Sequence, residues 1–136
     1  MSSTKIVPPR IGITLGAALA LVAAATTSAY AQSPSDVPRG DPAHGRTVYQ
    51  ACMGCHSLDE DDVGPRHRGV VGRVAGTVPG YAYSPALKRS GLVWSPANLD
   101  RWLTNPQSLV PGVKMFFSLQ NAKDREDVIA YLAQQR

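Results

Sequence analysis

The sequence predicts an all-α fold, in which short helices and long loops wrap around one large apolar group. Four segments begin with a helix start signal, and two of them continue with apolar residues at helical spacing. No segment alternates apolar and polar residues over the length of a convincing strand. The stretch 57–83 has no helical period and carries seven glycines and prolines, at Gly64, Pro65, Gly69, Gly72, Gly76, Pro79 and Gly80. A loop of this length needs an organiser other than secondary structure, and a large apolar cofactor would serve.

The length and charge of the chain exclude several classes of protein. Its 136 residues include 14 Lys or Arg and 10 Asp or Glu, which gives a net charge of +4. Removal of the first 31 residues takes away Lys5 and Arg10 but no acid, and the net charge falls to +2. That balance argues against a nucleic-acid-binding protein, which would carry a strong basic stripe. The two cysteines exclude a disulfide-dense scaffold and a zinc site of four thiolates.

The beginning of the chain has the three-part pattern of a secretory signal peptide. Lys5 and Arg10 precede an apolar run over residues 11–25, and Ala29-Tyr30-Ala31 forms a cleavage site of small residues. The apolar run has 15 residues. Because roughly 20 are needed to span a bilayer, a cleaved peptide is a better interpretation than an uncleaved membrane anchor.

Three parts of the chain follow from this pattern. We expect residues 1–31 to be a signal peptide cleaved after Ala31, and residues 32–39 to be a flexible lead-in rich in Ser and Pro. Residues 40–136 then form one domain, located in the periplasm. A core of that size is small, so a cofactor would help to stabilise the fold.

The first helix of this domain begins at Asp41. An N-cap residue followed by Pro42 at the first helical position is a strong start signal. The helix is expected to continue through Val48 and Tyr49 toward Cys52.

Two further helices repeat the same signal, at Ser84-Pro85 and at Ser95-Pro96. The first is short because Gly91 ends it, and the second ends at Asn105-Pro106. The second has an apolar face formed by Leu99, Trp102 and Leu103.

The last helix begins at Asn121, which with Asp124 resembles a capping box. Its apolar face consists of Val128, Ile129 and Leu132. The chain therefore offers four helices for one small core.

The motif that carries the chemistry is Cys52-Met53-Gly54-Cys55-His56. This C-x-x-C-H sequence is the attachment signature of c-type haem. Two thiols at this spacing can add to the two vinyl groups of a porphyrin, which holds the following histidine under the iron as a neutral imidazole ligand. We therefore predict one covalent haem c, attached through Cys52 and Cys55, with His56 as an iron ligand.

The two cysteines also allow three other interpretations. A thioredoxin-like redox pair would follow a strand, and no strand signal precedes Cys52. A zinc site would need two more ligands, and His44 and His67 stand at no recognisable spacing. The third alternative is a plain disulfide between Cys52 and Cys55.

Elimination points to Met115 as the second axial ligand. Met1 leaves with the signal peptide, and Met53 lies between the two thioether anchors, where it cannot reach the other face of the haem. Met115 follows a Pro-Gly turn on an irregular segment. The alternatives are a methionine that only fills the core and ligation by His67 or His44. A His/Met pair leaves no open position on iron and raises the potential relative to two histidines, which suits one-electron transfer.

Taken together, the residues from Gly40 to Leu132 resemble a class I cytochrome c, of the bacterial cytochrome c2 and mitochondrial cytochrome c type. The resemblance implies a small monohaem cytochrome c fold and covers nearly the whole predicted domain in the family's order. Its short matches include Gly45, Tyr49, Cys52-x-x-Cys55-His56, Gly64-Pro65, Gly72-Arg73, residues 79–83, residues 91–94, residues 103–106, residues 111–115 and residues 125–132.

The resemblance also implies roles for individual residues. Gly45 would let the first helix cross the last one closely, near Tyr131. Pro65 would accept a hydrogen bond from His56 through its carbonyl. Trp102 would pack on the haem near Met115, where the family usually carries a tyrosine, and its indole N–H would take the place of the tyrosine hydroxyl at the sulfur. The haem propionates would be held by Arg73, Tyr83 and Trp94.

The chain departs from the family pattern at several positions. His67 replaces an apolar haem contact, Leu87 stands in place of an asparagine, and Val113 stands in place of a threonine. Lys114 is present, but Ala51 and Gln107 occupy positions where lysines are frequent. An acidic run, Asp59-Glu60-Asp61-Asp62, follows the haem motif.

We therefore expect a soluble, monomeric, periplasmic electron carrier that is not an enzyme and binds neither nucleic acid nor membrane stably. Electrons would pass at an exposed haem edge near Cys52, Lys114 and Phe117. The expected donor is a quinol–cytochrome c reductase or a periplasmic dehydrogenase, and the acceptor is a terminal oxidase or a photosynthetic centre. The alternatives are a haem enzyme or gas-binding sensor with a labile Met115, and a thiol–disulfide oxidoreductase.

Overall fold

The architecture was analysed in a computed structural model, which describes Met1 and residues 38–136. The predicted cleavage site and nearly all of the lead-in lie outside the described residues. The helices are α1 (Pro42–Val48), α2 (Pro85–Arg89), α3 (Pro96–Thr104), α4 (Pro106–Leu109) and α5 (Ala122–Gln134). A 3-10 turn, Tyr49–Ala51, extends α1 toward the cysteines. Within the described part of the chain no helix is long and apolar enough to cross a membrane.

The start signals place the helices as predicted. The side chains of Asp41, Ser84, Ser95 and Asn121 each accept a hydrogen bond from a backbone N–H of the first helical turn. These acceptors satisfy donors that a helix leaves unpaired at its beginning.

Helix α4 was not predicted. In the sequence, Asn105-Pro106 indicates only the end of α3, but Asn105 is also the N-cap of the next helix and accepts a hydrogen bond from the backbone N–H of Ser108. The same pair of residues ends one helix and begins another. The reason is that a residue before proline avoids helical backbone, while a proline suits the first helical position.

Helices α1 and α5 cross closely at Gly45, as expected. A Cβ atom at Gly45 would overlap the backbone carbonyl of Asp127 and the Cβ of Tyr131. Asp127 ties the crossing together, because its buried carboxylate accepts hydrogen bonds from the Asp41 N–H at 2.6 Å and from His44 Nδ1 at 2.9 Å, and also pairs with Lys123. The 3-10 turn that leads to the cysteines is thereby anchored on α5.

The stretch 57–83 contains no helix, and its regular pairing with other described residues is limited to one isolated antiparallel bridge between Val74 and Val93. Four of its glycines, at 69, 72, 76 and 80, have positive φ, which turns the chain where other residues would be strained. The long loop predicted there is confirmed. Two of its buried side chains, Val70 and Ala75, join one hydrophobic cluster with the helices. The cluster consists of Tyr49, Val70, Ala75, Leu87, Trp94, Leu99, Trp102, Leu103, Val113, Val128, Ile129 and Leu132.

Candidate cofactor site

One mainly apolar cavity of about 290 Å³ opens into this cluster. Its lining is drawn from the cysteine motif, the long loop, α2, α3, α5 and the segment between α4 and α5. All nine residues that the sequence analysis assigned to a site contribute to the lining: Cys52, Cys55, His56, Pro65, Arg73, Tyr83, Trp94, Trp102 and Met115.

A tight turn brings both cysteines to this cavity. The backbone N–H groups of Cys55 and His56 both donate to the carbonyl of Cys52, at 3.1 and 2.9 Å. The two cysteines form no disulfide bond. Burial, together with the charge of Cys55, raises the pKa of the Cys52 thiol to about 11, so this thiol is neutral at pH 7.

The imidazole of His56 is oriented by the loop. Its Nδ1 lies 2.7 Å from the carbonyl oxygen of Pro65, and because a carbonyl only accepts, Nδ1 carries the proton and donates. The lone pair is therefore on Nε2, the nitrogen free to bind a metal. Burial lowers the pKa of His56 against the opposing effect of the Pro65 hydrogen bond, which favours this neutral form.

Gly64 packs against the same ring. Its N–H donates to the carbonyl of Cys55 at 2.7 Å, and a Cβ atom at this position would overlap the imidazole of His56. The position of the ring thus depends on a residue with no side chain. In the sequence, Gly64 stands out only as one glycine of the long loop and as part of a family match.

His67 stacks on His56, with ring centroids 4.0 Å apart and planes inclined by 22°. Its Nδ1 is 3.1 Å from the hydroxyl of Tyr49, a residue that is only 3% exposed. Burial lowers the pKa of His67 to about 3, and the charges of His56 and Arg73 act in the same direction. The polar pair of Tyr49 and His67 was missed, because no local pattern links residues so far apart in sequence.

The sulfur of Met115 is held by an indole. Trp102 Nε1 donates to Met115 Sδ at 3.2 Å, as the resemblance implied. Trp102 lies in α3 and packs edge to face against Trp94, with ring centroids 4.9 Å apart. The thioether therefore keeps a lone pair free, since sulfur has two and the indole uses one.

Gln107, in α4, binds the segment that carries Met115. Its side-chain Nε2 donates to the carbonyls of Val113 and Met115, at 2.8 and 3.0 Å, and its Oε1 accepts from the N–H of Gly112 at 3.3 Å. In the sequence, Gln107 stands out only because it occupies a position where the family often has a lysine. The one available signal was the absence of predicted secondary structure around Met115, which left its backbone groups without partners.

The three residues expected to face the haem propionates carry donors suited to carboxylates. Arg73 already donates to the carbonyls of Arg66 and Arg68, at 2.9 and 3.0 Å, which fixes the guanidinium at the cavity. Burial lowers the pKa of Arg73 and raises the pKa of Tyr83. Trp94 is 8% exposed.

The other departures from the family pattern are accommodated by packing and by local ion pairs. Leu87 and Val113 are 7% and 5% exposed and belong to the hydrophobic cluster. Within the acidic run, Asp59 pairs with Arg68 and Asp61 with Arg66. The run is thus partly neutralised.

The residues next to Met115 in sequence, at positions 114, 116 and 117, place apolar and basic groups at the mouth of the cavity. Phe116 is 79% exposed, Phe117 is 42% exposed, and both line the cavity. Lys114 lines it too and donates through Nζ to the carbonyl of Ala82 at 2.7 Å. The described residues contain no group of three or more His, Cys, Asp or Glu side chains that could hold a metal ion.

These donors fit haem c. The cavity offers two cysteine thiols at the spacing for thioether attachment, one neutral imidazole with a free Nε2 and one thioether sulfur, within a largely apolar lining. The absence of a Cβ at Gly64 provides the room that the imidazole occupies.

Known proteins that resemble this chain belong to one family. The family model for cytochrome c matches residues 42–136. A cytochrome c2 from Rhodomicrobium vannielii is 48% identical over 107 residues, which cover 76% of this chain and 86% of the relative.

Two solved structures are similar in fold. Cytochrome cH from Methylobacterium extorquens superposes with a TM-score of 0.67 at 46% identity and covers 69% of this chain and 98% of its own. Ferricytochrome c2 from Rhodopseudomonas palustris gives a TM-score of 0.67 at 38% identity, with coverages of 71% and 99%. The chain belongs to the cytochrome c family, and it is a class I electron carrier with covalent haem c, not an enzyme, whose partners are redox proteins.

Proposed function

We propose that this protein is a soluble periplasmic one-electron carrier in which Cys52 and Cys55 attach a single haem c and His56 and Met115 ligate its iron. One observation carries the proposal. The free Nε2 of His56 and the indole-held sulfur of Met115 belong to the lining of one apolar cavity. Bound haem c supplies a one-electron ferric–ferrous couple.

The residues on both sides of the iron favour electron transfer over catalysis. His56 is held by the Pro65 carbonyl, and Met115 is held by Trp102, so neither ligand is left to move freely. Two fixed ligands leave no position for a substrate or a gas. A thioether ligand also raises the potential relative to a second imidazole.

Charged and polar residues complete the site. Arg73, Tyr83 and Trp94 bind the haem propionates, because a buried carboxylate is stable only when paired or hydrogen-bonded. The indole N–H, the phenol and the guanidinium each donate, and all three line the cavity.

Partner proteins dock weakly and transiently at the cavity mouth, where Lys114, Phe116 and Phe117 lie. The proposed donor is a quinol–cytochrome c reductase or a periplasmic dehydrogenase, and the proposed acceptor is a terminal oxidase or a photosynthetic centre. The basic and apolar leader supports export with cleavage after Ala31. The proposed carrier is a monomer.

The test is the optical spectrum of the protein exported by a host competent in haem maturation, recorded oxidised and reduced. Sharp c-type bands together with the weak far-red band of sulfur-to-ferric-haem ligation are expected. Met115→Ala should keep its covalent haem, lose the far-red band and bind carbon monoxide when reduced. The matched control is Met53→Ala, since Met53 is 54% exposed and should leave the spectrum unchanged.

Two outcomes would contradict the proposal. Haem without the far-red band in the unmodified protein would mean an open or nitrogen-ligated iron and would favour the enzyme or sensor alternative. Free thiols and no haem would favour the thiol–disulfide alternative. The N-terminal residue of the purified protein distinguishes cleavage after Ala31 from a retained anchor.

A further inference from the structure

The segment that carries Met115 has an unusual support. Among the backbone–backbone hydrogen bonds of residues 38–136, none has a donor or an acceptor between residues 111 and 118. The nearest ones are Val110 N–H to Pro106, at 2.9 Å, and Leu119 N–H to Leu103, at 2.7 Å. Backbone hydrogen bonds therefore hold the segment, residues 111–118, only at its two ends. The residues between the ends depend on hydrogen bonds from side chains.

Gln107 supplies most of that missing support. Its amide makes three of the hydrogen bonds that reach this segment, to Gly112, Val113 and Met115. The orientation of the amide is fixed by chemistry, because a carbonyl can only accept and a backbone N–H can only donate. A flipped amide would place its oxygen against two carbonyl oxygens.

Among the described residues, three further side chains act on the segment, and none duplicates this role. Gln120 Nε2 donates to the Ser118 hydroxyl at 2.8 Å, at the end of the segment. Lys114 reaches outward to the carbonyl of Ala82, which attaches the edge of the segment to the residues before α2. Trp102 holds only the Met115 sulfur. Gln107 is the side chain that fixes the backbone on both sides of Lys114, and it does so from α4, without lining the cavity itself.

We propose that Gln107 is a positioning residue that keeps Met115 on the iron by clamping the backbone of residues 112–115. The inference rests on the proposed His56/Met115 ligation. Met115 leaves the iron only when its segment swings away, and each opening must break the Gln107 hydrogen bonds. The clamp thereby lowers the population of the open form that an external ligand could capture.

The experiment measures how tightly imidazole binds the ferric holoprotein, since imidazole competes with Met115 for the iron. Gln107→Glu replaces the donating nitrogen by an oxygen that faces two carbonyls. Helix α4 itself should tolerate the change, because an acid near a helix N-terminus is favourable. Loss of the donors and repulsion of the carbonyls should tighten imidazole binding roughly 100-fold, and Gln107→Ala, which only removes the hydrogen bonds, should tighten it about ten-fold.

Two controls separate the clamp from general effects. Gln50→Glu adds the same charge at an exposed residue close to the cysteines and should leave the imidazole affinity within about two-fold of the unmodified protein. Asp127→Asn removes the carboxylate that ties α1 to α5 and lowers overall stability. It should likewise leave the affinity within about two-fold, because it does not touch the Met115 segment.

The outcomes distinguish the two proposals. A far-red band in the unmodified protein, with imidazole affinities unchanged in both Gln107 variants, overturns the clamp and leaves the carrier function intact. Absence of that band from the unmodified protein contradicts the ligation itself, and the clamp with it. Where Gln107→Glu does not yield folded holoprotein, Gln107→Ala decides, and its expected result is a tighter imidazole complex with the far-red band retained at low imidazole.

Discussion

The two axial ligand candidates are supported in different ways. On the His56 side, backbone hydrogen bonds fix the chain, from Gly64 to Cys55 at 2.7 Å and from His67 to Ser57 at 2.9 Å. On the Met115 side, residues 111–118 make no backbone–backbone hydrogen bond with any residue that the structure describes, and side chains from α3 and α4 hold them instead. The first ligand is fixed by the fold around it. The second depends on a few side-chain atoms, so single substitutions can loosen it without unfolding the protein.

The largest effect is expected at Gly64, because no space is left there for a side chain beside the His56 ring. Gly64→Ala places a methyl group where the His56 ring lies, and the imidazole must leave its hydrogen bond with Pro65. The yield of mature holoprotein, measured as covalent haem per chain after export, should fall about ten-fold or more.

The matched control is Gly54→Ala, which has the same chemistry between the two cysteines. No atom of the residues that the structure describes lies within 4 Å of a Cβ atom at Gly54, so its yield should stay normal. Equal yields from the two variants would show that the ring does not depend on the space at Gly64.

The second-largest effect is expected at Asp127, whose carboxylate joins α1 to α5. Hydrogen bonds from Lys123, from the backbone of Asp41 and from His44 hold the pKa of the Asp127 carboxyl at about 2, below the usual value of 3.8. Because this pKa is depressed in the folded state, the carboxylate stabilises the fold above pH 4. That contribution is lost as the pH falls toward 2.

Asp127→Asn should therefore lower the melting temperature by several degrees at pH 7, and by progressively less at more acidic pH. Glu126→Gln is the control, since Glu126 is exposed on the same helix and makes no side-chain hydrogen bond among the described residues. Thermal melts between pH 2 and pH 7 test this, and a constant difference across that range would contradict the assignment to Asp127.

A smaller effect is expected for the polar pair behind His56. His67→Leu leaves the buried Tyr49 hydroxyl without its partner, which should reduce the free energy of unfolding by about 1–3 kcal/mol. Adding Tyr49→Phe removes the orphaned hydroxyl and should recover part of that loss. A double-mutant cycle by chemical denaturation measures the coupling, and strict additivity would show that the two side chains do not interact.

The smallest effect is expected on the Met115 side, at Trp102. Trp102→Phe removes only the N–H that contacts the sulfur and keeps an aromatic ring in α3. The loss of about 1 kcal/mol should tighten ferric imidazole binding roughly five-fold. His67→Leu should not change that affinity. If the two variants changed it equally, the distinction between the two sides would fail.

Much of the fold could be predicted because its signals are local. Asp41-Pro42, Ser84-Pro85 and Ser95-Pro96 each combine an N-cap with a favourable first helical residue, and each begins a helix. The same logic applies at Asn105-Pro106, but there a stop and a start coincide, and α4 was overlooked. The glycines and prolines of residues 57–83 excluded regular structure correctly.

The haem attachment motif, the helix starts and nine of the residues that line the cavity could be identified from the sequence, because spacing and order along the chain carry that information. Only the tertiary structure decided that Gly64 must lack a side chain, that His67 is paired with Tyr49 and that Gln107 holds the Met115 segment. Gly64 contacts His56, and Tyr49 contacts His67, across distances in sequence that no helical face spans. Gln107 hydrogen-bonds backbone groups of residues 112–115, and no local sequence pattern predicts the shape of that turn. Such contacts depend on how the helices and loops pack around the cavity, and packing is a property of the whole chain.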